Sequence, residues 1–369
     1  MIRIAAVGDI MPGGILAGID DGWVSEDVLS VLNGADIRVG TLETAIGNKP
    51  SFYDEKMKRL ADVIYAKDHD LIKLKKLGVD IVSLANNHFF DLGPDGAAHT
   101  IHLLDEMGIK HIGAGHNLKE AQMPAFEIIN GKKVAFLAFC DWRNETVGWC
   151  PFATEDQAGV NPMYDDYVVK EIKKYKTQCD YIVVMPHWGI EHTWITTSHV
   201  FRMAKKMLKA GADLIFGSHP HRVQPVVNYR DASVAYSMGN FLFPDRLITN
   251  PRSTYYPEHS VDYLSLPVTN TYPYVEEVTY KKWKPLARVG MIVLSEITEH
   301  RISSSYELTF MSEDGTLTLL DNQSHFTQIM ARREKKLKLK AYPVFYQVER
   351  YRNAFFRKLG LLKMLGNIQ

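Results

Sequence analysis

Side chains that bind metal ions follow short apolar runs at five places along the chain. These groups are Asp9, Glu43, Asn87, His187 and His219. Carboxylates, an amide and imidazoles without a thiolate suit Mn²⁺, Zn²⁺ or Fe²⁺ rather than a soft metal. Two such ions about 3.5–4 Å apart can hold a bridging hydroxide at neutral pH and clamp the oxygens of the group under attack. The set therefore predicts hydrolysis at a centre of two divalent metal ions.

Two histidine motifs are the most specific part of this set. In His219-Pro220-His221, alternate residues of an extended segment point to the same side, so both rings can approach one metal cluster. A lone pair of this kind often arises by chance, but His187 ends another strand-like run. Together these histidines are the strongest local indication of a metal site.

The other candidate ligands are each open to a plainer interpretation. Asp9 follows Gly8 after the first strand, a step that more often makes a turn or a cap, and Glu43 ends a strand where a carboxylate is often only solvated. Asn87 can ligate through a neutral oxygen while His88 protonates a leaving group. The Asn-rich segment can also simply satisfy loop backbone. The sequence alone leaves these alternatives open.

Buried strands alternate with helices over the first two thirds of the chain. Continuous apolar runs, typical of strands covered on both faces, occur at residues 2–7, 37–42, 81–84, 134–139, 181–185, 214–216 and 234–236. Helix-like stretches lie between them at 25–33, 69–77, 95–107, 164–175 and 199–210. This alternation predicts an α/β core over residues 1–245. Strands of about seven residues, at ~3.3 Å each, would carry all five groups to one edge of a sheet.

The amino-acid composition changes after Phe243. Prolines interrupt a stretch rich in Tyr and Thr that reads as long loops, and strands are predicted at 288–297, 304–310 and 316–320. We expect residues 246–330 to form a loop- and strand-rich extension of the core. The remaining residues, 331–369, are strongly basic.

The basic tail is predicted to contain an amphipathic helix. Apolar residues recur every three or four positions from Val344 to Leu362, and Lys or Arg occupy much of the remaining surface. Such a helix either docks on the core with a solvated basic face or lies on an anionic membrane. A peripheral membrane contact through residues 331–369 is therefore one of two expectations.

Charge and cysteine content exclude some classes of protein. The 43 basic and 43 acidic residues cancel, so the molecule as a whole should not be drawn to nucleic acid. Cys140, Cys150 and Cys179 are odd in number and mostly set among apolar neighbours, which fits a reducing compartment and inert packing. The sequence shows no apolar run of eighteen residues and no signal peptide, so we expect a cytoplasmic protein.

The order of these motifs resembles the CapA family of the calcineurin-like metallophosphoesterase superfamily, which is linked to capsule and poly-γ-glutamate synthesis. The similarity spans about residues 1–245 and rests on Val7 to Met11, Leu42-Glu43, Ser83 to His88 with Asp91 and Gly93, Gly113 to Gly115 with Glu120-Ala121, His187 to Glu191, Gly211 to Asp213, Gly217 to Pro225 and Tyr236 to Phe241. The resemblance implies an α/β sandwich of two mixed β-sheets flanked by helices (αββα), which the extension would complete.

The resemblance also implies a role for each candidate residue. Glu43 would be the bridging carboxylate. Asp9 and His221 would bind one ion, and Asn87, His187 and His219 would bind the other. His88 would be the general acid. His88 and Asp9 are the predicted catalytic residues. Contacts to substrate are expected from Asn86, Glu191, Arg222 and Asn240.

Two departures from the family pattern affect the expected activity. Met11 stands where these phosphoesterases usually have a histidine, which leaves one metal site a ligand short, and Glu43 replaces the usual bridging aspartate. Three functions are therefore considered. The first is a metal-dependent hydrolase that makes, trims, exports or anchors poly-γ-glutamate or a related capsular polymer. The others are a phosphomonoesterase or phosphodiesterase with the same site, and a non-catalytic accessory subunit of a membrane synthase complex.

Overall fold

Two mixed β-sheets packed face to face form the centre of the molecule, and helices cover their outer faces. The structure is a computed structural model that describes residues 1–48, 63–141, 150–249, 253–257, 261–269, 277–320, 325–337 and 346. The predicted αββα sandwich of two mixed sheets is confirmed.

The first sheet contains eight strands. In spatial order they are β22 (Leu317–Leu319), β21 (Ile302–Met311), β20 (Val289–Ile297), β1 (Ile2–Ile10), β2 (Ile37–Leu42), β5 (Ile81–Ser83) and β6 (Lys110–Ile112), with β15 (Asn240–Leu242) beside the end of β1. Strands β1, β2, β5 and β6 are parallel, whereas β20 is antiparallel to β1. The parallel strands therefore end at one common edge.

The second sheet contains six strands. Their order is β13 (Val223–Asn228), β14 (Ser233–Met238), β12 (Leu214–Phe216), β11 (Tyr181–His187), β9 (Lys132–Cys140) and β8 (Ala125–Ile129). The four central strands are parallel, and β13 and β8 are antiparallel edges. Here too the parallel strands share one carboxyl edge.

Seven α-helices are described. They are α1 (Glu26–Asn33), α2 (Ile72–Lys76), α3 (Gly93–Glu106), α4 (Leu118–Ala121), α5 (Asp165–Lys176), α6 (Ser198–Ala210) and α7 (His325–Leu337). Local sequence sets the bounds of α6, because the Thr197 side chain accepts a hydrogen bond from the Val200 N–H and Gly211 ends the helix at a φ of +115°. None of the described helices is long and apolar enough to cross a membrane.

The apolar runs of the sequence fill two packed layers. One cluster joins the inner faces of the two sheets, where Val7 of the first sheet and Val183 of the second are buried. The other packs the outer face of the second sheet on α5 and α6, through residues such as Ile172 and Met207. Both faces of the central strands are thus covered, which explains their continuous apolar character.

A small four-stranded sheet replaces part of the stretch predicted as long loops. It consists of β17 (Ser253–Tyr255), β16 (Arg246–Thr249), β19 (Thr279–Lys281) and β18 (Val268–Thr269). Strands of two to four residues are too short to show a periodic pattern, so the loop prediction was wrong here. Two further ladders join β3 (Ala45–Ile46) to β4 (Tyr65–Ala66) and β7 (Ala114–Gly115) to β10 (Gly159–Val160). The amphipathic helix predicted between residues 344 and 362 lies outside the described residues, apart from Tyr346.

Candidate metal centre

The first sheet supplies three candidate ligands from neighbouring parallel strands. Asp9 lies in β1, where the register to β2 shifts between Ala6 and Asp9. Glu43 directly follows β2, and Asn87 lies four residues past β5. Bulges of this kind often re-aim side chains next to functional sites.

Gly8 permits a close backbone contact beside this bulge. A Cβ atom on Gly8 would lie 1.9 Å from the carbonyl oxygen of Gly239, so only glycine fits. The plainer alternative of a turn or cap at Gly8-Asp9 does not apply, since β1 continues through Asp9 to Ile10. The contact instead brings Asp9 into register with Asn240.

The second sheet supplies three imidazoles. His187 is the last residue of β11, and His219 and His221 lie in the loop after β12. The backbone of His219 has a φ of +94° and that of His221 a φ of +48°. A non-glycine residue held in this region costs of order 1–3 kcal/mol and is frequent at functional sites. Strain is therefore concentrated at the His-x-His motif.

The centre lies between two sheets rather than at the edge of one. The carboxyl ends of β1, β2 and β5 meet those of β11 and β12, and a backbone bridge joins His187 to Ser218. The expectation from strand lengths of a single common edge is therefore wrong. The length of an apolar run indicates where a strand ends but not the sheet to which the strand belongs.

One group of possible ligands is Asp9, Glu43 and His221. Their ligand atoms all lie within 4.8 Å of one another. Nδ1 of His221 is 3.5 Å from Oδ2 of Asp9, and Nε2 of the same ring is 3.7 Å from Oε1 of Glu43. All three side chains are buried.

A second group is formed by Glu43, His187 and His219, again within 4.8 Å. Nε2 of His187 is 3.4 Å from Oε1 of Glu43, 3.0 Å from Nδ1 of His219 and 2.6 Å from Oδ1 of Asn87. Four donor atoms from both sheets thus converge here, and Glu43 belongs to both groups.

The carboxylates of this cluster fit divalent cations. Neither oxygen of Glu43, nor Oδ1 of Asp9, accepts a hydrogen bond from any residue that the structure describes. A buried carboxylate without donors is costly unless a cation faces it. Two such groups surrounded by imidazoles form a donor set that suits divalent metals.

Hydrogen bonds outside the cluster orient the imidazoles. Nδ1 of His187 lies 2.9 Å from Oγ of Ser218. Nδ1 of His221 lies 2.7 Å from Oδ1 of Asn240, whose Nδ2 donates to the carbonyl of Ala287. Because the Asn240 oxygen must accept, His221 donates from Nδ1 and its Nε2 lone pair faces Glu43. Such outer partners fix the tautomer of a metal-binding histidine.

Burial sets the charge of the cluster. It lowers the pKa of His187 and His221 well below the ordinary value and that of His219 to about 3, so these rings are neutral and can act as ligands. With no cation near, burial raises the pKa of Asp9 to about 7. Burial and then the Asp9 charge raise the pKa of Glu43. Both carboxylates therefore need a positive charge beside them to remain ionised.

His88 lies next to this cluster, and its pKa is shifted in the opposite direction from those of the three clustered histidines. Its Nδ1 lies 2.7 Å from Oδ2 of Asp91, which also accepts from the Ile64 N–H. Burial lowers the pKa of His88, but the charge and hydrogen bond of Asp91 outweigh it, so the pKa is raised. Because Asp91 favours the protonated form, the ring is suited to donate a proton from Nε2 to a group at the candidate centre.

Met11 lies in an apolar cluster beside the first group. It is fully buried with Ile64, Phe243 and Trp283. The rings of Phe243 and Trp283 lie 5.6 and 5.4 Å from the ring of His221. Met11 thus supplies no imidazole to the centre, and two aromatic rings of its cluster flank His221.

The four residues predicted to contact substrate all lie near the centre. Their interactions within the protein differ from one residue to the next. Asn86 donates to the Leu42 carbonyl and accepts from the His88 N–H, so its amide braces the loop. Asn240 orients His221, as described above. Arg222 is buried and donates to the His221 carbonyl. Glu191 is partly exposed, and its charge raises the pKa of Glu43 and His88.

Sequence reasoning missed several residues of the centre. Ser218 and Asp91 lie inside the motifs, and their contacts with His187 and His88 could have been anticipated. Trp283, whose ring lies 5.4 Å from that of His221, belongs to the extension, and no motif in the sequence indicates it. Cys140 and Cys150 are buried near the centre and burial raises the pKa of both thiols, consistent with inert packing.

The fold and this centre together define the class of protein. Two mixed sheets with flanking helices, and carboxylates and imidazoles between their carboxyl edges, form an αββα sandwich with a candidate centre for divalent metal ions.

The family follows from similarity to known proteins. Residues 3–245 match the family described as "Bacterial capsule synthesis protein PGA_cap". The chain therefore belongs to this family, and the predicted CapA relationship is confirmed.

Two curated relatives and one solved structure illustrate the similarity. "Capsule biosynthesis protein CapA" of Bacillus anthracis is 32% identical over 66% of this chain and 60% of its own length. "PGA biosynthesis protein CapA" of Bacillus subtilis is 28% identical over 66% of this chain and 63% of its own length. The match thus spans less than two thirds of these relatives. A 5'-nucleotidase of Candida albicans has a TM-score of 0.41 and 11% identity, covering 92% of this chain and 59% of that chain.

Proposed function

We propose that this protein is a metal-dependent hydrolase that acts on poly-γ-glutamate or a related anionic cell-envelope polymer during capsule synthesis. The observation that carries the proposal is Glu43, whose two buried oxygens lack hydrogen-bond donors within the described residues and which belongs to both ligand groups. A carboxylate in this position suits a bridge between two divalent ions. Asp9 and His221 would complete one site, and Asn87, His187 and His219 the other.

A bound pair of divalent ions would supply Lewis acidity and lower the pKa of an attacking water. The residues of the chain provide the remaining steps. As the carbonyl C–N bond breaks, the leaving nitrogen takes the proton from Nε2 of His88. Asp91 holds the opposite nitrogen of the ring and favours its protonated form. The neutral imidazoles of His187 and His221 remain fixed by Ser218 and Asn240.

The substrate class comes from the family. Both relatives are named for the biosynthesis of capsule or PGA, and we extend that role to this chain as a proposal. The reaction would break an amide bond of a polymer that carries a carboxylate in every repeat.

The proposal is tested by incubating the Mn²⁺- or Zn²⁺-loaded full chain with oligo-γ-glutamate and counting new amino groups. The wild type should release amino groups, and His88→Ala should lower the rate by about 10²–10⁴-fold, the usual contribution of a general acid. His69→Ala, a change at an exposed histidine bonded to Asp20, is the matched control and should have no effect. Turnover of an aryl phosphate but not of the oligomer would instead assign a phosphoesterase.

A non-catalytic accessory role is the second candidate. Met11 and its apolar neighbours remove one expected ligand from the first group, and the relatives' names specify biosynthesis without a reaction. A capsule-forming cell would distinguish the two roles. Full capsule with His88→Ala, together with co-purification of a membrane synthase, would replace the hydrolase with a subunit of the synthase complex.

A further inference from the structure

The outer surface of helices α5 and α6 is strongly basic. Every exposed residue of α6 is a cation, and the exposed residues of α5 are three lysines and Asp166. The basic surface, as we call these cations, consists of Lys170, Lys173 and Lys174 of α5 and Arg202, Lys205, Lys206 and Lys209 of α6. The cations recur every three or four residues, so each helix turns one row of positive charge outward. Because the whole chain is neutral, the positive charge is concentrated here.

The two rows of cations lie side by side. Both helices pack on the same outer face of the second sheet, through buried residues such as Ile172 and Met207. Nζ of Lys206 in α6 lies 2.8 Å from Oδ2 of Asp165 in α5, which joins the two helices at the surface. Packed helices are about 8–10 Å apart at their axes. The basic surface is therefore a broad face two helices wide.

Interactions within the fold account for only some of these cations. Lys174 pairs with the buried Glu171, and Nζ of Lys205 lies 4.3 Å from the centre of the Phe201 ring. Over the part of the chain that the structure describes, no ion pair engages four of the cations, namely Lys170, Lys173, Arg202 and Lys209. These four charges are available to a partner outside the fold.

The helix dipole explains two of these four cations. A cation in the last turn of a helix is stabilised by the dipole, and Lys173 and Lys209 lie in the last turns of α5 and α6. Lys170 and Arg202 lie earlier in their helices, where the dipole gives a cation no such benefit. The continuous row on each helix therefore favours an anionic partner.

The end of the chain carries charge of the same sign. Tyr346 packs against the apolar cluster that α5 and α6 cover. The residues that follow it, 347–369, contain five Lys or Arg and only Glu349 as an acidic residue. This segment cannot neutralise the basic surface, because both are positive. Its basic residues alternate with Phe and Leu, a composition that is typical of segments attracted to anionic lipid.

We propose that the basic surface of α5 and α6 docks on the anionic headgroups of a lipid membrane. Charge complementarity carries the inference. Lipid phosphates are spread in two dimensions and can meet both rows of cations at once, whereas a single polymer strand would follow only one row. The candidate metal centre lies at the carboxyl edges of the sheets and not beneath these helices, so docking leaves it uncovered. The inference does not depend on the proposed reaction.

The test is cosedimentation of the full chain with vesicles of phosphatidylcholine and phosphatidylglycerol in equal parts, compared with vesicles of phosphatidylcholine alone. The wild type should bind the anionic vesicles much more tightly, and salt should weaken that binding. Arg202→Gln with Lys209→Gln should weaken it by roughly thirtyfold, at about fivefold for each cation near an anionic surface. Lys170→Gln with Lys173→Gln should have a similar effect, because these cations lie in the second row.

A matched control changes net charge equally at a distance from these helices. Lys75→Gln with Arg301→Gln replaces exposed cations of α2 and of the turn between β20 and β21, and vesicle binding should be unchanged. A second control, Lys170→Arg with Lys209→Arg, keeps the charge and should bind within about threefold of the wild type. All replaced side chains are exposed, so the melting temperatures should agree. If one pair of Gln substitutions lowers the melting temperature, the pair on the other helix decides.

Several outcomes would overturn the proposal. One is equal binding of the wild type to anionic and neutral vesicles, or no binding to either. Another is wild-type affinity in a variant that carries all four Gln substitutions, which would assign the membrane contact to residues 347–369. Equal loss in the Lys75 and Arg301 control would show an effect of net charge alone. Binding of oligo-γ-glutamate that is lost in the Gln variants, without vesicle binding, would assign the basic surface to the polymer.

Discussion

Replacing Asp9 by asparagine should stabilise the metal-free protein and destabilise the metal-loaded one. Burial raises the Asp9 pKa from 3.8 to about 7 when no cation is present. Because the folded state then binds the proton more tightly than the unfolded state, this group lowers the free energy of unfolding as the pH rises from about 4 to 7. Asparagine has the same shape and no charge, so it removes that loss.

The size of the effect follows from the shift. A difference of about 3 pKa units at ~1.4 kcal/mol each gives about 4 kcal/mol at pH 8, and about 2 kcal/mol at pH 5. Asp9→Asn should therefore raise the free energy of unfolding of the metal-free chain by up to about 4 kcal/mol at pH 8. The His219 N–H, 3.3 Å from Oδ2, can still donate to the asparagine oxygen.

The measurement is urea unfolding with excess EDTA at pH 5 and pH 8, repeated with Mn²⁺ or Zn²⁺. In the metal-loaded protein the variant should be less stable than the wild type, since it lacks a charged ligand and binds metal less tightly. Asp70→Asn is the matched control: Asp70 is buried and paired with the buried Lys73. Its replacement leaves Lys73 uncompensated and should cost about 3–5 kcal/mol. A metal-free Asp9→Asn variant that is less stable than wild type at both pH values would refute the reasoning.

Three further predictions concern the ligands and the acid. Glu43→Gln should lower metal content from about two ions per chain to one or none by elemental analysis, and two retained ions would contradict the bridge. Asp91→Asn removes the charge that raises the His88 pKa. Because His88 must be protonated to act as the acid, the fall in rate at alkaline pH should move to lower pH while the metal content stays unchanged. An unchanged pH–rate profile would contradict the pairing of Asp91 with His88. Met11→His should slow metal loss to EDTA by placing an imidazole beside Asp9, whereas equal loss would show that the apolar cluster excludes it.

Much of the fold could be predicted because its central strands are buried on both faces. The runs at 37–42 and 214–216 match β2 and β12 to the residue, since Asp36 and Glu43 bound the first run, and Asp213 and Gly217 bound the second. The strands of the small sheet could not be predicted, because two to four residues give no period. Assignment to one sheet or the other also failed from strand length alone, and only the family resemblance implied two sheets.

The clustering of the candidate ligands could be anticipated for a related reason. Each lies near the end of a buried strand or in the loop that follows it, where a polar side chain has few structural explanations, and Asn87 and His88 stand together in one motif. The burial of Arg246 and Lys281 in the small sheet could not be anticipated, because a single cation in a Pro-rich stretch usually marks a solvated loop. Their pairing depends on the register of β16 to β19, which spans more than thirty residues of sequence and is fixed by tertiary contacts.

The similarity to the family ends at residue 245, yet the site does not. Asn240 orients His221 only because the Ala287 carbonyl fixes its amide, and Trp283 packs against the same imidazole. Strand β20 also pairs with β1 over six residues from Ile2 to Val7, just before Asp9. A chain ending at residue 245 would expose that edge of β1 and release His221 together. With Met11 supplying no ligand, the geometry of the first metal group depends on residues 283–297, so the extension is part of the centre's construction.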